Sequence, residues 1–394
     1  MPLNRLRRVL QTPMAIRVES SQTIATEVIN AAQNRPPGLN PKLAQPFGRI
    51  ADSQQLQIRA IDLMRKIGEL TTPTTVNLAR LSASWATRRY FWAVDDPVFP
   101  TPPFRLSQDA RSMERHQKTL LSDEFGVGFA GLLVERLLGT NRFVDMEFAL
   151  VNPQRYFGVQ HVGPRWPDYL FWGPSTPVYI VECKGSQTNW SGVINQLRRG
   201  MEQLPSIIIP GYPTEQIVVA TYLDDNSTRV IFLDPPVNND DETQSRKGEK
   251  PSESTPLEIE PRRWQVRDSK AFLERLNIGT NITLLRWVAQ HAKARELESR
   301  LEVDTKQIYW PDATLEPVET KVGDFLGVSI AFAPEIGLGG PSIFRGLRRD
   351  ILTHLENGDL EETLAPNNLR VDSKDPLISI GSSGTCLMLR NLDL

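Results

Sequence analysis

The sequence predicts an α/β protein with a central αβββαβ unit over roughly residues 105–236, a helical, proline-punctuated N-terminal region over 1–104 and a small α+β region over 257–394. The central unit rests on three observations. From about 107 to 138 apolar residues recur at helical spacing, ending in Phe125, Phe129, Leu132, Leu133 and Leu137, with Gly139 as the stop. Three runs rich in β-branched and aromatic residues follow, RFVDMEFALV (142–151), PDYLFWG (167–173) and VYIVECK (178–184), separated by turn residues. The stretch SGVINQLRRGMEQL then returns to helical spacing through Val193, Ile194, Leu197, Met201 and Leu204, and QIVVATYL and RVIFLDP supply two more strands.

The flanks are read in the same way. RPPGLNP (35–41) and FPTPPF (99–104) punctuate the first region, and helices are expected over 54–69, from Leu56, Ile58, Ile61, Leu63 and Met64, and over 75–92. Asn238 to Pro256 contains no large apolar residue, so 237–256 is expected to be a polar flexible linker or loop. Beyond it, a helix from near Asp268 to about Leu301, a strand DFLGVSIAF, a glycine-rich turn, a helix IFRGLRRDILTHL and a closing strand near TCLMLRNL compose the last region. Target or partner recognition is its expected role.

Composition excludes several classes of function. Forty-five basic side chains against forty-seven acidic ones leave a net charge of −2, so the chain does not coat nucleic acid by bulk charge, and any such contact must be local. Cys183 and Cys386 form no CxxC pair and only four histidines are present, which argues against a zinc site and a disulfide framework and for a reducing, cytoplasmic setting. The first twenty residues are basic without a sustained apolar run, and no window reaches eighteen apolar residues, so neither a signal peptide nor a membrane span is expected.

The chemistry concentrates in VYIVECKG (178–185). A strand alternates its side chains between two faces, so Glu182 and Lys184 share one face while Cys183 points to the other. Asp168 lies fourteen residues before Glu182, across the turn WGPSTP, and a hairpin would bring the two carboxylates together. Paired carboxylates raise each other's pKa unless a cation lies between them. With no histidine or cysteine cluster nearby, oxygen ligation favours Mg2+ or Mn2+. Lys184 would then face a bound phosphate. Arg198 and Arg199, on the next helix, are candidates for tracking further phosphates, with a solvated helix face as the alternative.

Pro167-Asp168 followed after a hairpin-sized gap by Glu182-Cys183-Lys184, within an αβββαβ order, resembles the PD-(D/E)XK nuclease superfamily, the restriction-endonuclease-like fold with a mixed central sheet. The resemblance covers roughly residues 120–236. It implies a metal-dependent endonuclease or exonuclease cutting nucleic acid, most of all DNA, with a metal-activated water. Asp168 and Glu182 would be metal ligands, and Lys184 would position or activate the water. A glutamate on the preceding helix supports the metal in many members; Glu124 is the first candidate and Glu135 the second. RecB-type members also carry a glutamine on the following helix, where this chain has Gln196, but their tyrosine four residues later is Gly200 here. By family analogy the setting would be bacterial defence against foreign DNA, acting as a homo-oligomer or with a companion protein. The alternative is a catalytically inactive subunit that keeps the fold and binds nucleic acid or a partner protein.

Overall fold

The computed structural model describes residues 3–33, 44–71, 89–98, 102–150, 166–204, 206–235, 263–288, 315–331, 342–357 and 377–390, together with 293, 296, 297 and 299. Its N-terminal third contains α1 (Leu3–Gln11), β1 (Pro13–Glu19), α2 (Gln22–Gln33), β2 (Gln45–Pro46), β3 (Ser53–Arg59) and α3 (Ala60–Leu70). The middle comprises α4 (Gln108–Arg111), α5 (Arg115–Leu138), β4 (Arg142–Asp145), α6 (Met146–Leu150), β5 (Tyr169–Trp172), β6 (Val178–Ser186), α7 (Trp190–Gln203), β7 (Ser206–Ile208), β8 (Thr214–Leu223) and β9 (Thr228–Asp234). The last third holds β10 (Arg263–Gln265), α8 (Ser269–Trp287), β11 (Glu316–Thr320), β12 (Gly323–Ala331), β13 (Ser342–Arg348), α9 (Arg349–Asn357), β14 (Ile378–Ile380) and β15 (Thr385–Arg390).

The fold is mixed α/β around a mixed central sheet of order β3-β1-β9-β8-β6-β5-β4, with β2 also paired to β9. β6 runs parallel to β8, and β1 parallel to β9; the other pairs are antiparallel. β6 is therefore an interior strand. That position explains its apolar start, since an interior strand covered on both faces has no solvent side. A second, five-stranded sheet, β11-β12-β13-β15-β14, belongs to the C-terminal third. One continuous apolar core runs from Leu6 of α1 through Phe125, Ile180 and Val219 to Leu389 of β15.

The expected helical N-terminal region is corrected by β1 and β3, which extend the central sheet beyond β9. The helix expected over 54–69 begins only at Ala60. Leu56 and Ile58 are spaced by two, which suits the strand that pairs with Ile16 and Met14, and the helical period starts after Arg59. Similar reasons shift three other elements. The helix expected from 107 is divided into α4 and α5, because Ser107 accepts a hydrogen bond from the Ala110 N–H and caps a separate short helix. β4 stops at Asp145, whose carboxylate accepts from the Glu147 and Phe148 N–H groups and starts α6. Residues 343–348 form a strand, since β13 lies between β12 and β15 and buries Arg345 completely, and helix α9 begins at Arg349. The helix expected over 75–92 falls mostly, and the polar linker over 237–256 and the glycines at 337–340 entirely, outside the described residues.

Gly139 does end α5, in the left-handed region at φ 72°. Among the described residues no helix is long and apolar enough to cross a membrane.

Candidate active site

The support of the site is the first half of β6. Val178, Tyr179, Ile180 and Val181 are each no more than 2% exposed, so the strand is locked by packing before it reaches its charges. Glu182 follows at 1% exposure, and Lys184, on the same face, emerges at 18% of its side chain. On β5, Tyr169 stands opposite Val181, and continuing that register one residue back sets Asp168 beside Glu182. Two hydrogen bonds bracket Glu182: the Asp168 N–H donates to the Val181 carbonyl at 3.2 Å, and the Cys183 N–H donates to Asp168 Oδ2 at 2.7 Å. The hairpin thus holds both carboxylates at one place.

Their electrostatics follow from that placement. Burial, reinforced by the Asp168 charge, pushes Glu182 up to about 8 against the opposing pull of Lys184. Burial likewise raises Asp168 to about 6, with Lys184 and the Cys183 hydrogen bond lowering it and Asp145 and Asp123 raising it. Lys184 Nζ is ion-paired with Glu182 Oε1. The other oxygen, Oε2, is buried without a hydrogen-bond partner. A buried, unpartnered carboxylate oxygen beside a second carboxylate fits a cation.

Two helices enclose β6 from opposite faces. On one side Gly126 and Gly185 let α5 press against the strand's backbone: a Cβ on Gly185 would come 1.7 Å from the Ser122 carbonyl oxygen, and one on Gly126 2.8 Å from the Lys184 carbonyl. Gly185→Ala should therefore force α5 away from the site, destabilising the protein by about 1–3 kcal/mol as overpacking does. Chemical denaturation checks this; an unchanged midpoint would mean that α5 does not rest on the strand. On the other side, a Cβ on Gly200 of α7 would lie 2.7 Å from Val218 Cγ1 and 3.3 Å from Glu182 Cγ. A tyrosine at this position would displace Glu182, which gives Gly200 a physical reason.

The other candidates are distributed unevenly. Gln196 lies one turn before Gly200, on the helix face directed at Glu182. Glu124 is half-buried on α5, where it ion-pairs with Arg89 at 3.6 Å; burial raises its pKa, while the neighbouring Tyr90 hydroxyl and the Arg89 charge pull it back. Glu135 lies about three turns further along α5, in a buried ionic cluster. It pairs with Lys66 and Arg65 and accepts from the Ser382 N–H at 2.6 Å, so its carboxylate serves the junction with the C-terminal sheet. Arg198 is buried and paired with Glu202, whereas Arg199 is exposed, so Arg199 alone stands where a phosphate could reach it without rearrangement.

Two carboxylates escaped the sequence reading. Asp123, next to Glu124, is exposed, yet partial desolvation raises its pKa while the Lys184 charge pulls it down. Its own charge reaches Asp168. The adjacent acidic pair in LSDEFGVGFAGLL was the available clue, but the helical phase relative to β6 depended on the glycine contacts. Asp145 also acts on Asp168 while capping α6, a role hidden as long as 142–151 was read as one strand.

Asp168 and Glu182 are the side chains that would hold a cation. Among the described residues no three His, Cys, Asp or Glu side chains gather into a full ligand set. A pair alone could hold a cation such as Mg2+ only with waters or substrate phosphates as its other ligands. No protein-family model, no curated protein and no solved structure matches this chain.

Proposed function

We propose that this chain is a metal-dependent nuclease of the PD-(D/E)XK type, hydrolysing phosphodiester bonds of nucleic acid, with DNA as the expected substrate. The observation that carries the reading is the Asp168–Glu182 pair: two desolvated carboxylates on adjacent strands, Lys184 beside them and a buried Glu182 oxygen without a partner. The order α5, β4, β5, β6, α7, β8, with β6 parallel to β8, supports a restriction-endonuclease-like core.

In this reading Asp168 and Glu182 hold Mg2+ or Mn2+. When bound, the cation supplies Lewis-acid charge that lowers the pKa of water and offsets the charge developing on phosphorus. The chain's own contribution is positional. The β5–β6 hairpin fixes the two carboxylates, and Lys184 presents an ammonium to the same cleft, where it would stabilise the negative charge of the scissile phosphate. Gln196 and Asp123 would flank the pair from α7 and α5, and Glu124 is held by its ion pair with Arg89.

Plasmid DNA and a labelled RNA, incubated with the purified protein in Mg2+, in Mn2+ and in EDTA, test the proposal. Cleavage of either in a metal and none in EDTA is expected. Nucleic acid that is bound but intact in every metal would favour the non-catalytic binding subunit instead.

A further inference from the structure

We infer that Lys118, with Arg115 one turn further out on α5, is a phosphate-binding arm that grips the nucleic-acid backbone about one nucleotide from the bond to be cut. The inference rests on the nuclease reading of the Asp168–Glu182 site and names where its substrate continues. Its basis is the way the end of β6 runs along α5. Gly126 faces the Lys184 carbonyl, Ser122 faces Gly185, and Gln187 Nε2 donates to the Lys118 carbonyl at 3.1 Å and to Ser122 Oγ at 2.9 Å. Residues 118, 122 and 126 are spaced by one turn each, so Lys118 stands on the helix stripe that tracks the strand out of the site.

Lys118 is half-buried and has no carboxylate partner among the described residues. Its stem packs along the helix while its ammonium has no counter-charge beside it, which leaves that charge available to an anion. Arg115 is exposed three residues earlier, and it too has no ion pair among the described residues.

The spacing fits a strand of nucleic acid. An α-helix rises about 1.5 Å per residue, which puts Lys118 about 7.5 Å along α5 from Asp123, whose charge reaches both Asp168 and Lys184. Successive phosphates of one strand advance about 3.4 Å along the duplex axis but, following the helical path, lie about 7 Å apart, so this offset corresponds to about one nucleotide. A backbone with one phosphate at Lys184 would therefore present another to Lys118.

The test is the salt dependence of binding to a labelled DNA duplex in EDTA, where metal-dependent cutting is suppressed, for wild type, Lys118→Ala, Lys118→Arg and the exposed control Lys321→Ala. Each lost phosphate contact lowers the slope of log K against log salt by about 0.9. Lys118→Ala should lose about one such increment, Lys118→Arg should retain it, and Lys321→Ala should match wild type. In Mg2+ or Mn2+, Lys118→Ala should raise KM with little change in kcat, because the contact is made equally in ground and transition states. A wild type that cuts DNA while Lys118→Ala keeps the full slope would overturn the arm and leave the nuclease reading intact. A wild type that binds without cutting, and loses slope in Lys118→Ala, would retain the arm and overturn the nuclease reading. Absence of binding by the wild type would overturn the arm.

Discussion

Replacing Lys184 by alanine is expected to lower the single-turnover rate of DNA cleavage about 10²–10³-fold, the usual loss when one preorganised group facing developing charge is removed. The size follows from its setting. Lys184 emerges from an interior strand with its ammonium paired to Glu182, so its position is fixed by packing that the reaction does not have to assemble. Alanine removes that charge and leaves the buried Glu182 with neither oxygen paired by a lysine. Because the substitution leaves a buried carboxyl without its lysine, some loss of stability is expected, and the rates are compared well below the thermal midpoint of each protein. Lys184→Arg, which keeps the charge with a different shape, should fall between the two. Equal rates for wild type and Lys184→Ala, from equally folded proteins, would remove Lys184 from the chemistry.

Glu135→Ala should instead leave the site's groups in place and cost stability, on the order of 3–5 kcal/mol, as breaking a buried ion pair does. Glu135 faces Lys66 and Arg65, and Lys66 and Arg65 also face Glu69, so the cluster joins α3 to α5. It continues into the C-terminal sheet through Arg65 to Ser379 and Glu135 to Ser382. Burial alone would raise the Glu135 carboxyl, but the Lys66 and Arg65 charges and the Lys66 and Ser382 hydrogen bonds outweigh it and hold the group well below the usual carboxylate range. A carboxyl lowered in the folded state stabilises the protein above its unfolded value of about 4.3 and loses that contribution as pH falls toward the folded value. Wild-type stability should consequently decline as pH drops below about 4.3, more steeply than that of Glu135→Ala. Urea denaturation at pH 7 and pH 3 measures both quantities. A variant as stable as wild type at pH 7 would show that the cluster holds nothing together.

The parts of this molecule that were legible in sequence are those governed by short-range pattern. VYIVECK and SGVINQLRRGMEQL announce an interior strand and an amphipathic helix, and the hairpin gap between Asp168 and Glu182 suffices to align them. Where neighbouring patterns merge, the reading failed. QQLQIR is a strand by its alternation, but it leads without a break into the helical AIDLMRKIGEL, and the helix period absorbed both. The same fusion disguised IFRGLR, whose arginine at 345 looked like a helix surface and is buried between two strands. Long-range pairing was hidden altogether. Nothing in PMAIRVE indicates that β1 will run beside Arg229, Val230 and Ile231, more than two hundred residues away. At the site, the choice between Glu124 and Glu135, and the nearness of Asp123, depended on how α5 is phased against β6, which the close approaches of Gly126 and Gly185 determine.

The central claim is that Asp168 and Glu182 hold a divalent cation at a nuclease site. Cleavage of labelled DNA during a Mn2+ titration, by wild type and by Glu182→Gln and Asp168→Asn, tests it most directly. The account predicts that wild type cuts only as Mn2+ is added and that both variants, folded like wild type, remain inactive or require far more cation. Cleavage by either variant at the wild-type rate and cation concentration would contradict it, as would a wild type that leaves DNA and RNA intact in both Mg2+ and Mn2+.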